Sequence, residues 1–311
     1  MTAPASTITG VNRIGLAVTD LDRSLDFFAG PTGLETATRR TVEPAWRHLM
    51  STPGPVEVAS LRGPNATIEL VEFGELATSS PIPVQGPGVT HLCFQSHATS
   101  ELYKRFIDHG AREVSRNAPV DLGGYGVRYG YARDPDGIMF EVEQLDRPPF
   151  DASVWVAHVA LVSPDIDRLV DFYTAVLGVE PHRRVNKVVG PRIDEVTNLD
   201  DVRVRAAWFN TGNMLLELWE YVHPATPPPS GIRAVEAAGV HRFVFEVGDL
   251  DAELQRLDAA GASRTGPPVG DPATDGREVY ARDPDGNLFG LLELPAGAPT
   301  SIDQLRRIDW M

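Results

Sequence analysis

YARDPDGIMFEVEQL (Tyr131 to Leu145) and YARDPDGNLFGLLEL (Tyr280 to Leu294) begin with the same seven residues. In both, DPDG reads as a turn between two strands. Strand alternation after the first turn sends Phe140 and Val142 to one face and Met139, Glu141 and Glu143 to the other. The second copy has Gly290 where the first has Glu141. The chain is therefore internally duplicated, and one copy lacks an acid that the other keeps.

Working outward, a second matched pair stands near the start of each half: NRIGLAVTDLDRSLDFFAGPTGLE from Asn12 and AHVALVSPDIDRLVDFYTAVLGVE from Ala157. Each opens as an apolar strand. An Asp then caps a helix whose apolar residues recur at three and four, with Leu21, Leu25 and Phe28 in one and Ile166, Leu169, Val170 and Tyr173 in the other. Gly33 and Gly178 end those helices. Strand-like ATIELVEF (from Ala66) and MLLELWEY (from Met214) close the two units. Shorter units follow, from GVTHLCFQS at Gly88 and GVHRFVFEV at Gly239, each ending in its YARDPDG strand pair. The spacing predicts four strand–helix–strands modules over roughly residues 8–76, 86–146, 153–222 and 237–295. Proline-rich connectors separate them. The expected domains are 1–147 and 148–296, with a tail over 297–311 whose Ile302, Leu305 and Ile308 predict a short docked helix.

The bulk composition narrows the partners. The chain has 311 residues, a formal charge of −15 and a single cysteine, Cys93. An acidic surface is wrong for nucleic acid and for an anionic membrane. One cysteine excludes an intramolecular disulfide and fits a reducing compartment. No secretory signal or spanning apolar run is visible. A cytoplasmic protein acting on a small molecule, as monomer or homodimer, is expected.

A metal on a sheet's concave face needs His or carboxylate side chains pointing inward. Alternation places His91, Cys93 and Gln95, then Glu141 and Glu143, then His158, and then Leu215, Glu217 and Trp219 on such faces. Helix-facing neighbours are apolar: Leu92, Phe94, Val159, Leu161, Leu216 and Leu218. Five histidines (His48, His97, His109, His182 and His223) fall in loops or helices and read as surface residues. Cys93 reads as a pocket wall, and Trp46, Trp208 and Trp219 as core.

The four modules, the DxxxSxxFY-type helix and the DPDGxxxE strand resemble the vicinal oxygen chelate superfamily, which includes glyoxalase I, methylmalonyl-CoA epimerase, resistance proteins and extradiol dioxygenases. The resemblance implies an α+β fold: four βαβββ modules forming two curved mixed sheets with helices on the convex faces. It also implies ligand positions on the first and last strands of each module. These are Arg13 and Glu69, His91 and Glu141, His158 and Glu217, and Arg242 and Gly290. His241, one residue off, is expected to face the helices. Pairing in chain order leaves both sites incomplete, with Glu69, His91 and Glu141 as the better remnant. Pairing the middle modules, as in single-chain fused glyoxalases, gives His91, Glu141, His158 and Glu217. Arg13, Glu69, Arg242 and Gly290 are then left as a set that cannot hold a metal well, in which Arg13 and Arg242 pair with Glu69 as a structural ion network or, alternatively, bind an anionic ligand.

A two-His, two-Glu shell suits one divalent ion, Zn, Ni, Co or Mn. By resemblance, Glu141 or Glu217 is the base in isomerase, epimerase or lyase chemistry through an enediolate on a substrate with vicinal oxygens. The alternatives are an extradiol-type dioxygenase using Fe(II) and a metal-free sequestering protein.

Overall fold

The computed structural model describes residues 5–49, 52, 54–75, 77, 80–149, 151–271, 273, 274 and 276–308. The first module carries β1 (Ile8–Val18), α1 (Leu21–Thr32), β2 (Glu35–Thr41), α2 (Pro44–Leu49), β3 (Val56–Arg62) and β4 (Thr67–Phe73). The second carries β5 (Gly88–His97), α3 (Leu102–Asp108), β6 (Arg112–Glu113), β7 (Val120–Asp121), β8 (Val127–Arg133) and β9 (Met139–Leu145). The third has β10 (Val154–Val162), α4 (Ile166–Leu177), β11 (Arg183–Val189), α5 (Pro191–Thr197), β12 (Arg203–Asn210) and β13 (Leu215–His223). The fourth has β14 (Gly239–Val247), α6 (Leu250–Ala259), β15 (Ser263–Arg264), β16 (Val269–Asp271), β17 (Gly276–Arg282) and β18 (Leu288–Glu293).

These strands form two nine-stranded mixed sheets. One runs β15-β17-β18-β14-β1-β4-β3-β2 with β16 beside β17, and the other β11-β12-β13-β10-β5-β9-β8-β6 with β7 beside β8. Modules one and four therefore share one sheet, and modules two and three the other. The central joints are antiparallel, β1 with β14 and β10 with β5, while β4, β18, β13 and β9 pair parallel to their first strands.

Local chemistry accounts for the elements. Asp20 and Asp165 accept from the backbone N–H of Arg23 and Arg168 at the starts of α1 and α4. Gly33 and Gly178 end those helices at φ 70°, a conformation that side chains with a Cβ disfavour. Alternate strand residues, among them Ile14, Leu70, Phe94, Phe140, Leu161, Leu218, Phe243 and Phe289, join the helices in one continuous core between the sheets. Burial of this apolar area is the main driving force for the fold. The opposite faces carry separate clusters, around Val58, Val71 and Val244 in one sheet and around Tyr131, Met139 and Val204 in the other. Short helices lie on those faces: Ile193 and Val196 of α5 join the second cluster and Trp46 of α2 packs on the first. Strand alternation gives no hint of these two helices.

Two asparagines lock the sheets together. Asn213 accepts from Val11 N (2.9 Å) and donates to Val11 O and Asn65 O (2.8 Å each). Asn65 reciprocates, accepting from Val156 N (3.0 Å) and donating to Val156 O (2.6 Å) and Asn213 O (2.8 Å). Both fix backbone at β-bulges, since the register steps from Val11 to Arg13 opposite β14 and from Val156 to His158 opposite β5. A bulge re-aims the side chains that follow it. Here those are Arg13 and His158, one in each sheet's concave centre. No helix among the described residues is long and apolar enough to cross a membrane. The tail forms one short 3-10 helix, Ile302–Gln304, with Ile302 and Ile308 buried and Leu305 half-buried; its last three residues lie outside the described ones.

Candidate metal centre

Because modules two and three share a sheet, β5, β9, β10 and β13 deliver His91, Glu141, His158 and Glu217 to one point. All four are buried, and one donor atom from each lies within 4.8 Å of the others. His158 Nε2 is 3.1 Å from Glu141 Oε2 and 3.2 Å from Glu217 Oε2. His91 Nε2 is 3.2 Å from Glu141 Oε2 and 3.9 Å from Glu217 Oε2. Donors sharing one ion at bonds of about 2.0–2.2 Å stand roughly 3–3.5 Å apart. Three of the four separations lie in that range and the fourth, between His91 and Glu217, is 3.9 Å, so the four donors could share one ion.

The surroundings orient the donors. Thr90, the residue left over where the register steps from His91 to Val89, sets its hydroxyl 3.0 Å from His91 Nδ1 and 3.4 Å from Ala160 O. A hydroxyl donating to Ala160 O accepts the Nδ1 proton, which leaves the Nε2 lone pair facing the centre; this tautomer is assigned from the network. Trp208 Nε1 donates to Glu217 Oε1, and the other oxygen, Oε2, is buried with no hydrogen-bond partner. A buried carboxylate oxygen left without a donor is costly unless a cation meets it.

Electrostatics point the same way. Burial opposes charge on Glu141, but where His158 and His91 carry an Nε2 proton in place of an ion, their hydrogen bonds outweigh burial and lower Glu141 to about 2. Burial also opposes charge on His158, yet Glu217 and Glu141 raise it to about 9. Burial and the neighbouring Glu141 push Glu143 up to about 7. Positive charge is thus favoured at the centre of the four donors, and the residues fit a divalent metal.

The other sheet shows what the duplicated site has become. Arg13 Nε lies 2.9 Å and Arg242 NH2 2.6 Å from Glu69 Oε2. The expected ion network is present, and it is larger than expected: Glu278 also pairs with Arg13 at 2.5 Å, and Arg40 approaches Glu69 at 3.8 Å. Burial opposes charge on Glu69, but Arg13 and Arg242 lower its pKa. At Gly290 an added Cβ would come within 2.5 Å of the Tyr280 ring. Tyr280 and Val244 crowd the space where a fourth ligand would stand.

One orientation is corrected. His241 does not face the helices, because the register steps from Arg242 opposite Gly15 to Val240 opposite Leu16. His241 is the bulged residue, so it turns beside Arg242, hydrogen-bonds to it, and packs edge-on against Phe73. Period-two alternation cannot see a bulge. His97, His109, His182 and His223 are exposed as expected, whereas the side chain of His48 lies outside the described residues. Cys93 is fully buried beside the site. Trp208, read as core, instead positions Glu217, and the Thr90 contact was also missed. Their only sequence signal is adjacency, Trp208 on the strand beside Glu217 and Thr90 just before His91.

Known proteins share this plan. The profile of the Glyoxalase/Bleomycin resistance protein/Dioxygenase superfamily matches residues 10–142 and 155–291. A 2-epi-5-epi-valiolone epimerase of an Actinomyces species is 34% identical over 157 residues, covering 47% of this chain and 83% of that protein. A lactoylglutathione lyase of Arabidopsis thaliana is 26% identical over 177 residues, and the match covers 57% of this chain and 56% of the plant protein. The chain thus spans only about half of that relative's length. Among solved structures, glyoxalase I from Zea mays superposes with a TM-score of 0.66 at 20% identity, over 91% of this chain and 92% of that one. At that identity the likeness concerns the fold. With its profile matched in both halves, its swapped sheets and its epimerase and glyoxalase I relatives, the chain belongs to the Glyoxalase/Bleomycin resistance protein/Dioxygenase superfamily as a two-domain member.

Proposed function

We infer that this chain is a divalent-metal enzyme that moves a proton on the carbon next to a carbonyl, as an epimerase or isomerase does. The observation that carries this is the convergence of His91, Glu141, His158 and Glu217 at coordination spacing. A divalent ion held by these four would supply Lewis acidity to a carbonyl, easing removal of a proton from the neighbouring carbon.

The chain's own residues do the rest. Glu141 and Glu217 stand on β9 and β13, on either side of the central strands β5 and β10, and so flank anything bound between them. Glu217 is anchored through Oε1 by Trp208, and Oε2, the oxygen that faces His158 and the centre, is the one placed to take a proton. Glu141, held by both histidines, is the carboxylate on the opposite flank. Removal by one and return by the other inverts the carbon. Ile193 and Val196 of α5, packed with Tyr129 and Tyr131, keep bulk water from the reacting carbon. The 34% identical relative, an epimerase by name, supports this reaction class.

The test is elemental analysis of the purified chain, followed by NMR of a vicinal hydroxyketone in D2O with parallel oxygen-uptake measurement. We expect metal-dependent exchange of the α-proton without oxygen uptake. Stoichiometric oxygen consumption would instead indicate ring-cleaving chemistry, and ligand binding without exchange a sequestering protein.

A further inference from the structure

One acidic side chain beside the centre is not used above. Glu143 follows Glu141 by two residues on β9, so it stands on the same face roughly 7 Å further along the strand. It is half-buried, while Glu141 is buried. A relay fixes its position: Trp155 Nε1 donates to Gln95 Oε1 at 2.7 Å, and Gln95 Nε2 donates to Glu143 Oε2. An indole N–H can only donate, so the amide of Gln95 has one orientation and presents its NH2 to Glu143. The relay engages Oε2 and leaves Oε1 available as an acceptor. The corresponding positions of the other sheet hold Leu292 for Glu143 and Glu246 for Gln95, and Glu246 there serves Asn12 and Ser301 instead. Among the described residues, the relay is found in the sheet that carries the candidate metal centre and not in the other.

Charge limits what can lie next to it. Among the described residues, Glu141, Glu143 and Glu217 form no ion pair with any Lys or Arg. One divalent ion leaves these three carboxylates in excess, which disfavours a carboxylate or phosphate on the substrate at this point.

Resting on the proton-transfer assignment above, we propose that Glu143 is a specificity-determining residue that accepts a hydrogen bond from a substrate hydroxyl beyond the two metal-facing oxygens. The substrate class is then a neutral, polyhydroxylated carbonyl compound. A site built to bond a hydroxyl discriminates against the analogue lacking it, and more weakly where water can replace the hydroxyl, as at half-buried Glu143.

The experiment measures binding by saturation-transfer NMR on the zinc-loaded chain, with erythrulose (neutral, hydroxylated), acetoin (lacking the extra hydroxyls) and pyruvate (anionic). Erythrulose is expected to half-saturate at about tenfold lower concentration than either of the others. Glu143→Leu, which installs the residue of the other sheet, is expected to abolish that gap with bound zinc unchanged. Glu143→Gln, still able to accept, retains part of it. Equal binding of the three ketones by the wild type, or a gap that survives in Glu143→Leu, overturns the proposal. Exchange of the α-proton is followed separately. Its absence alongside the expected binding preference would sink the proton-transfer assignment and leave the binding role of Glu143 standing.

Discussion

Phe28 and Tyr173 occupy the same place in the two long helices α1 and α4, and they differ by one hydroxyl. Tyr173 OH donates to Asp283 Oδ2 at 3.1 Å, across from helix to DPDG turn. The matching turn acid, Asp134, is fully buried, and its Oδ2 has no partner. Burial raises both acids, Asp283 to about 6 and Asp134 to about 7. Restoring the hydroxyl with Phe28→Tyr should give Asp134 the bond that Asp283 has. The unit between the two acids is worth about 1.4 kcal/mol, an upper bound for the tyrosine because Asn287 also donates to Asp283. The sign follows from linkage. A carboxyl whose folded pKa is raised stabilises the fold at low pH, and that contribution is lost as pH climbs from about 4 to about 7. The new bond lowers the folded pKa, so it helps most where Asp134 is charged. Urea denaturation should show Phe28→Tyr stabilised by about 1 kcal/mol more at pH 8 than at pH 5. Equal effects at the two pH values, or destabilisation at pH 8, would refute the pairing of Phe28 with Asp134.

Other outcomes follow from the clamp and from the ligand supports. Asn65→Ala strands Val156 N–H and C=O and should cost about 2–4 kcal/mol in denaturation, with the fold otherwise recovered at low denaturant. A loss below 0.5 kcal/mol would show that the bulge holds without it. Thr90→Val removes the acceptor behind His91 Nδ1 and should weaken metal binding by about 10–100-fold in chelator competition, at unchanged circular dichroism. Unaltered affinity would show that Thr90 does not set the tautomer.

Much of the site was legible in the sequence, for a physical reason. Alternation puts His91, Glu141, His158 and Glu217 on inward faces, and the distribution of defects chooses the pairing. Arg13, Arg242 and Gly290 fall together only if the outer modules share a sheet, as they do. What alternation could not carry were departures from its own period. The bulge at His241 breaks the count of two, and α2 and α5 are too short to show a helical pattern. Side-chain partners such as Trp208 with Glu217 depend on which strands become neighbours across a register, and Glu278 with Arg13 joins residues far apart in the chain. The same holds for the reciprocal asparagines, whose partners lie in the opposite half of the molecule.

The most direct measurement is anomalous diffraction from crystals of the zinc-loaded chain. One peak per chain is expected, within about 2.0–2.3 Å of a donor from each of His91, Glu141, His158 and Glu217, with none beside Arg13, Glu69 and Arg242. In His91→Ala and His158→Ala the peak should vanish while both sheets remain. A peak lying elsewhere, a second peak in the outer sheet, or full occupancy in either histidine variant would contradict a single centre built across the two halves.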